Sequence, residues 1–268
     1  MTTAVTDLDY DRRIPFGLVR DTFAVTQRNL IHFFRIPQLL VFSTIQPVIF
    51  VLLWRYVFGG AIGQTPRGVP YVDFLMPGIF VQTVVFGALA TSVGLAADLK
   101  TGMLERFLSL PMSRSAVLTG RTLADLVRNV FVVILMVLVG FAVGFRVHTN
   151  VGTFLVGLLL VLLFGYALSW VFATVGLLVK DPETAQAAAF PVLAPLVFAS
   201  SAFIPLITMP GWLQAFARNQ PVSVTVEGVR ALTIGGATAR PVLQALIWCA
   251  ALVAIFAPIA VRLYRRAL

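Results

Sequence analysis

The sequence predicts an all-α, polytopic membrane protein with six transmembrane helices, and three observations lead there. First, the 268 residues are 59% hydrophobic and only 12% charged, whereas an average soluble domain carries about 25% charged residues. Mean hydropathy is +0.94. Second, six apolar segments approach the roughly 20 residues that a helix needs to cross a hydrocarbon core of about 30 Å. Third, Lys and Arg are distributed unevenly between the two sides those segments define.

The expected spans are 39–58, 74–97, 117–145, 153–179, 185–204 and 241–262, within a transmembrane domain of 38–265. Lipid offers no partner to backbone groups, so each span must be helical, and the alternation of a β-barrel is absent. Arg55 lies near the end of the first span, where its side chain reaches the headgroups. The helix of the third span is expected to start near Ser115.

Placing the N-terminus inside puts fourteen of the twenty Lys and Arg residues on the inner side, among them Arg12, Arg13, Arg20, Arg28, Arg35, Lys100, Arg106 and Arg128. The outer side then holds six: Arg55, Arg67, Arg146, Arg218, Arg230 and Arg240. The positive-inside rule therefore predicts both termini in the cytoplasm. It also accounts for the formal charge of +9 with no nucleic acid as partner. Arg-rich, Lys-poor usage with many Ala, Val and Leu points to a GC-rich bacterium and hence a plasma membrane. Residues 1–37 lack the apolar core and cleavage site of a signal peptide.

Three segments do not span. Within the cytoplasmic N-terminus, 1–37, residues 16–35 place Phe16, Val19, Phe23, Leu30 and Phe34 at helical spacing, with Arg20, Arg28 and Arg35 among the polar positions. This predicts an amphipathic helix along the inner leaflet, ended by Pro37. The loop 99–111 predicts a short cytoplasmic helix from Lys100 to Leu110, with Gly102 near its start, Pro111 after it, and Glu105 and Arg106 as its central charges. The outer segment 205–240 is too polar to span. Pro205, Pro210 and Pro221 divide it into two short helices, about 211–218 and 222–233, expected to dip into the outer leaflet.

The residues exclude several chemistries. No GxxxxGK(S/T) loop occurs, so the chain has no ordinary phosphate cradle for ATP. Cys249 is the one cysteine, His32 and His148 fall on opposite sides, and no metal site is expected. Asp73, Asp98, Asp125 and Asp181 are expected at span ends, leaving no acid at depth for proton coupling. Gln46 and Gln82 are mid-span polar groups that serve either a substrate path or helix packing. The Arg121/Asp125/Arg128 and Glu227/Arg230 spacings read as local charge pairs. Gly140 and Gly144 read as a small-residue packing pair.

The run from Leu104 through Arg114 (Leu-Glu-Arg-Phe-Leu-Ser-Leu-Pro-Met-Ser-Arg), followed by Gly120-Arg121-Thr122-Leu123-Ala124-Asp125, resembles the signature of ABC-2 type permeases, in particular their daunorubicin-resistance branch. Other pieces match in order: Arg35-Ile36-Pro37, Gln46-Pro47, Phe203-Ile204-Pro205, Met209-Pro210-Gly211-Trp212, Asn219-Gln220-Pro221 and Glu227-Gly228-Val229-Arg230. The resemblance covers roughly 16–266. It implies a permease that pairs with a second six-span half, identical or related, and docks on a separate ABC ATP-binding subunit that binds ATP and Mg. This chain itself would hold no cofactor and would not be an enzyme.

The resemblance further implies that Leu104, Glu105, Arg106, Phe107 and Leu110 belong to a coupling helix seated on the ATPase. The segment bearing Arg20, Arg28 and Arg35 would be the interface helix. The implied cargo is a small amphipathic drug, antibiotic or lipid-like compound moved outward, with lipid-linked polysaccharide as an alternative. From other classes, an ion-coupled secondary transporter would need inverted repeats and a mid-membrane ion site. A membrane-embedded enzyme would need a cluster of reactive groups at the membrane face.

Overall fold

The computed structural model describes residues 17–35, 37–60, 68–103 and 114–266. Among them all regular structure is helical. Nine α-helices follow in chain order: α1 (Gly17–Arg35), α2 (Pro37–Leu52), α3 (Tyr71–Lys100), α4 (Arg114–Ala142), α5 (Val151–Val179), α6 (Pro182–Phe198), α7 (Gly211–Asn219), α8 (Pro221–Ile234) and α9 (Ala239–Arg266). A π-helical turn, Leu53–Phe58, continues α2 without a break.

Among the described residues four helices are long and apolar enough to cross a membrane: α3, α4 from Ala116, α5 and α9. The chain is therefore a polytopic α-helical membrane protein. α2 and α6 are shorter.

α3 is the central element. It is apolar on every side, as a helix surrounded by others must be, and it packs against α5, α6, α4 and α8. Glycines set the closest approaches. A Cβ on Gly176 of α5 would overlap the Ser92 carbonyl of α3, and one on Gly165 would lie 2.8 Å from Cβ of Val84. Such small-residue contacts let backbones approach where lipid supplies no hydrophobic drive.

Two apolar clusters mark the two ends. Leu95, Leu118, Trp170, Leu177, Ala260 and Tyr264 pack together where α3, α5 and α9 end and α4 begins. Tyr71, Phe80, Phe145, Phe154, Phe203 and Val229 belong to the larger cluster that reaches the opposite end. Long helices thus alternate in direction, and Arg265 and Arg266 close α9 at the same end as Lys100.

α1 lies against α4 through Asp21, Val25 and Thr26, all buried. Thr26 Oγ1 donates to the Gly120 carbonyl at 3.0 Å. A Cβ on Gly120 would sit 2.8 Å from Val25 Cβ. The apolar residues Val19 and Phe23 of α1 face outward, 65% and 67% exposed. The amphipathic helix therefore rests on α4 by its small-residue face and keeps large apolar side chains available to lipid.

Two sequence expectations shift. α6 ends at Phe198, not near 204, where the Ser200 side chain takes over from the backbone ladder: its Oγ donates to the Val197 carbonyl at 2.5 Å and accepts from Ala202 N–H at 3.1 Å. The freed segment 199–203 is bonded by side chains instead: Ser201 N–H donates to Ser223 Oγ at 3.0 Å, and Gln220 Nε2 donates to the Ala199 carbonyl at 2.5 Å. Gly144 is no packing residue. It follows the end of α4 at φ +101°, a conformation that suits glycine, while Gly140 alone packs, against Met76. α4 is continuous around Asp125, which is 7% exposed.

Candidate functional site

A cavity of about 570 Å³ lies between α1, α2, α3 and α4. Its α3 wall runs from Thr83 through Phe86, Gly87, Ala90, Val93, Gly94, Ala97 and Asp98 to Thr101. That is a helix length of about 27 Å. Small residues at every turn of this wall leave the space open. Leu30 of α1, Gln46 and Pro47 of α2, and Ala124 and Val132 of α4 complete most of the apolar lining.

The charged lining is organised by ion pairs. Arg121 of α4 donates to Asp98 of α3, and Arg28 of α1 lies 3.9 Å from the same carboxylate. One turn along α4, Arg128 pairs with Asp125 at 2.9 Å and donates to the Gly87 carbonyl at 2.6 Å. Asp125 also accepts from Thr91 Oγ1. Charged groups thus run along α4 from Arg121, facing Asp98, to Arg128, which reaches Gly87 about one turn from Thr83. The Arg121/Asp125/Arg128 spacing, read from sequence as a ladder on one helix, keeps its Asp125–Arg128 pair along α4 and also bonds α4 to α3 through Asp98, Thr91 and Gly87.

Lys100, the last residue of α3, reaches across to Asp181 at 2.7 Å. Asp181 is the N-cap of α6 and accepts from Thr184 N–H at 3.0 Å. The Lys100 hydrogen bond, with those from the backbone and hydroxyl of Thr184, holds the Asp181 carboxyl well below the usual carboxylate range.

At the opposite end the fold is closed by Arg230 of α8, whose side chain is fully buried. Nε donates to the Phe74 carbonyl at 2.9 Å, and Nη2 donates to the carbonyls of Ser201 and Ala202 at 2.6 and 3.0 Å. Nη1 pairs with Glu227 at 2.7 Å. Nearby, the buried Asp73 accepts from Arg146 N–H at 2.8 Å and meets His148 Nε2 at 2.8 Å, pinning the α4–α5 connection. Trp54 stacks on Phe203 with ring centroids 4.6 Å apart, which joins the π-helical end of α2 to the same region.

The sequence-derived candidates distribute unevenly over this geometry. Gln46 is exposed and lines the cavity; Gln82 is 3% exposed and does not. Arg28 lines the cavity, Arg20 is exposed beside Asp21, and Arg35 flanks a shallow groove on α1 with Phe23 and Ile31. Leu104, Glu105, Arg106, Phe107 and Leu110 lie outside the described residues. The sequence reading missed Arg230 as an anchor. Its signal was present: a lone Arg in the stretch Val222–Ile234, whose other positions, Glu227 apart, are apolar or small.

Among the described residues no group of three or more His, Cys, Asp and Glu side chains is placed to hold a metal ion. Helices stacked around an amphipathic cavity, with ion pairs at the helix ends, define a membrane transport protein rather than a reaction centre. The family profile of ABC-2 type transporters matches residues 20–234, and the chain belongs to that family as a non-catalytic membrane permease. It is 38% identical over 241 residues, 89% of this chain and 83% of the relative, to a daunorubicin resistance ABC transporter permease protein of Streptomyces coeruleorubidus. It is 26% identical to a probable doxorubicin resistance ABC transporter permease protein of Mycobacterium tuberculosis, covering 93% and 90% of the two chains. A putative transport permease of Porphyra purpurea is 29% identical over 80% of this chain and 74% of its own.

Proposed function

We propose that this chain is one six-span half of an ATP-driven exporter in a bacterial plasma membrane, with both termini in the cytoplasm. α2 with its π-helical turn and α6 supply the two further spans. A second six-span permease completes the path. A separate ABC ATP-binding subunit, which holds ATP and Mg, docks on 99–111 and on α1. The cargo is an amphipathic drug, antibiotic or lipid-like compound, in keeping with the resistance permeases that the chain resembles.

The observation that carries this reading is how the Lys100 end is tied together. α3 enters the 99–111 segment and α4 leaves it. α1 packs on α4 at Gly120, and Lys100 holds the start of α6 through Asp181. A displacement delivered at 99–111 therefore reaches α1, α3, α4 and α6 through direct bonds. Asp125, the buried acid of α4, is committed to Arg128 and Thr91, which supports ATP over an ion gradient as the energy source.

Uptake of daunorubicin into inside-out vesicles carrying the permease and its ATPase tests this reading. Accumulation should require ATP and persist when the proton gradient is dissipated. Accumulation driven by an imposed proton gradient without ATP would replace the proposal by a secondary transporter.

A further inference from the structure

We infer that the cavity between α1, α2, α3 and α4 selects an uncharged amphipath, an apolar body bearing carbonyl and hydroxyl groups, over a cation or an anion. Gln46, Thr83 and Asn129 are the residues that read it. The inference rests on the exporter reading in taking the occupant to be the transported compound.

The charges of the lining are committed to one another. Asp98 accepts from Arg121 and has Arg28 at 3.9 Å. Asp125 accepts from Thr91 Oγ1 and pairs with Arg128 at 2.9 Å, and Arg128 also donates to the Gly87 carbonyl at 2.6 Å. Arg28 and Arg128 each have a further interaction beside these. No carboxylate therefore stands ready for a cationic cargo, and no guanidinium for an anionic one. A charged compound would have to break one of these pairs, and stranding a partner away from water is strongly unfavourable. A plain alkyl chain fits no better, because the Asp125–Arg128 pair crosses to α3 at Thr91 and Gly87.

The neutral polar groups, by contrast, are open. Gln46 is exposed, lines the cavity from α2, and makes no side-chain hydrogen bond among the described residues. Asn129 of α4 lines the same cavity, is 2% exposed, and its Nδ2 has no acceptor among the described residues. Its amide lies over Gly87, where a Cβ would come 2.5 Å from Oδ1. Rotation about χ2, a soft torsion, turns the donor to that side. Thr83 Oγ1 donates to the Ile79 carbonyl at 2.8 Å, which leaves its lone pairs as acceptors. Amides without partners in an apolar site are costly until a ligand pairs them, and they reject ligands that cannot. Phe86, Pro47 and Val132 receive the apolar body, and about 570 Å³ suits a compound of drug size.

The test uses the full chain in phosphatidylcholine nanodiscs and the fluorescence of daunorubicin, whose sugar amine is protonated at neutral pH. Three probes share its rings: the parent ammonium, the N-acetyl amide and the N-succinyl carboxylate. Binding to empty nanodiscs is subtracted. The acetamide should bind at least fivefold tighter than either charged probe. Ala90→Trp, which fills the cavity without touching a charge, should weaken the acetamide at least tenfold. Gln46→Leu should weaken it at least threefold. Gln46→Glu should reverse the order so that the parent binds tightest, a gain that a folding defect cannot imitate.

Equal or tighter binding of either charged probe to the wild type would overturn the inference. So would failure of all three to bind, an acetamide indifferent to Ala90→Trp or Gln46→Leu, or an unchanged order in Gln46→Glu. Each of these results leaves the exporter reading standing, because ATP-driven uptake is measured separately. Loss of ATP-driven uptake with the acetamide preference intact would remove the exporter reading and leave a binding site for uncharged compounds.

Discussion

The guanidinium carbon of Arg230 lies 3.5 Å from the centroid of the Phe74 ring, and the Nε of the same side chain donates to the Phe74 carbonyl. One residue thus grips another by its ring and by its backbone, far from water. Nη2 takes the Ser201 and Ala202 carbonyls, so α3, α8 and the segment after α6 share a single fastening. Charge-assisted hydrogen bonds of this kind contribute about 1.5–3 kcal/mol each, and a desolvated cation–π contact adds about 2.

Arg230→Met should therefore destabilise the protein by roughly 3 kcal/mol or more, since three carbonyls lose a donor. Arg230→Lys should recover only part of this, because an ammonium cannot fork between carbonyls as a guanidinium does. Size-exclusion profiles of detergent-solubilised protein after graded heating measure the loss. A midpoint within 2 °C of wild type for Arg230→Met, on the order of what under 1 kcal/mol would shift, would contradict the anchoring role.

Gly78→Ala should be damaging out of proportion to one methyl. Its Cβ would overlap the Ala202 carbonyl, which is backbone and cannot swing aside. The expected cost is about 1–3 kcal/mol. Gly211→Ala at the start of α7 meets nothing within 4 Å and should be near neutral. Comparable thermal profiles for the two variants would refute the close approach.

Asp125 and Arg128 form a buried pair, with side chains 9% and 12% exposed. Asp125→Leu alone should cost about 3–5 kcal/mol by stranding the guanidinium, and the double change Asp125→Leu with Arg128→Met should regain most of it. A double-mutant cycle on thermal stability reads this coupling. Strictly additive losses would mean that the pair contributes no interaction of its own.

These cases show where the sequence was legible and where it was not. The long helices could be placed because a bilayer imposes one length on every apolar run, and α3, α4, α5 and α9 carry that length openly. The end of α6 was hidden because Ser200 stops the helix by side-chain bonds to Val197 and Ala202 while the run around it stays apolar. Arg230 was hidden because its acceptors belong to residues 74, 201 and 202, and no local spacing announces them. Gln46 and Gln82 looked alike in sequence since both are single amides in apolar helices. Only the packing of α2 beside α3 exposes one to the cavity and buries the other.

The Lys100–Asp181 link carries a pH prediction. Asp181 is held below the ordinary carboxylate range near 4, Lys100 first and Thr184 next. A lowered folded-state value means that its contribution to stability is complete above about pH 4 and is lost only as pH falls through the lower folded value. Infrared difference spectra between wild type and Asp181→Asn should therefore show an ionised carboxylate still present at pH 4. Half-protonation there would show that the link does not hold in the membrane.

The coupling segment decides the account most directly. The chain should be co-expressed with a neighbouring ATP-binding subunit, solubilised, and purified through the permease. A co-purifying ATPase is expected, lost when residues 100–110 are replaced by a Gly/Ser linker, while Glu105→Ala keeps the complex but uncouples hydrolysis from transport. A permease that binds the ATPase equally well without residues 100–110, or that transports with no ATPase at all, would contradict the proposal that ATP hydrolysis reaches the spans through this loop.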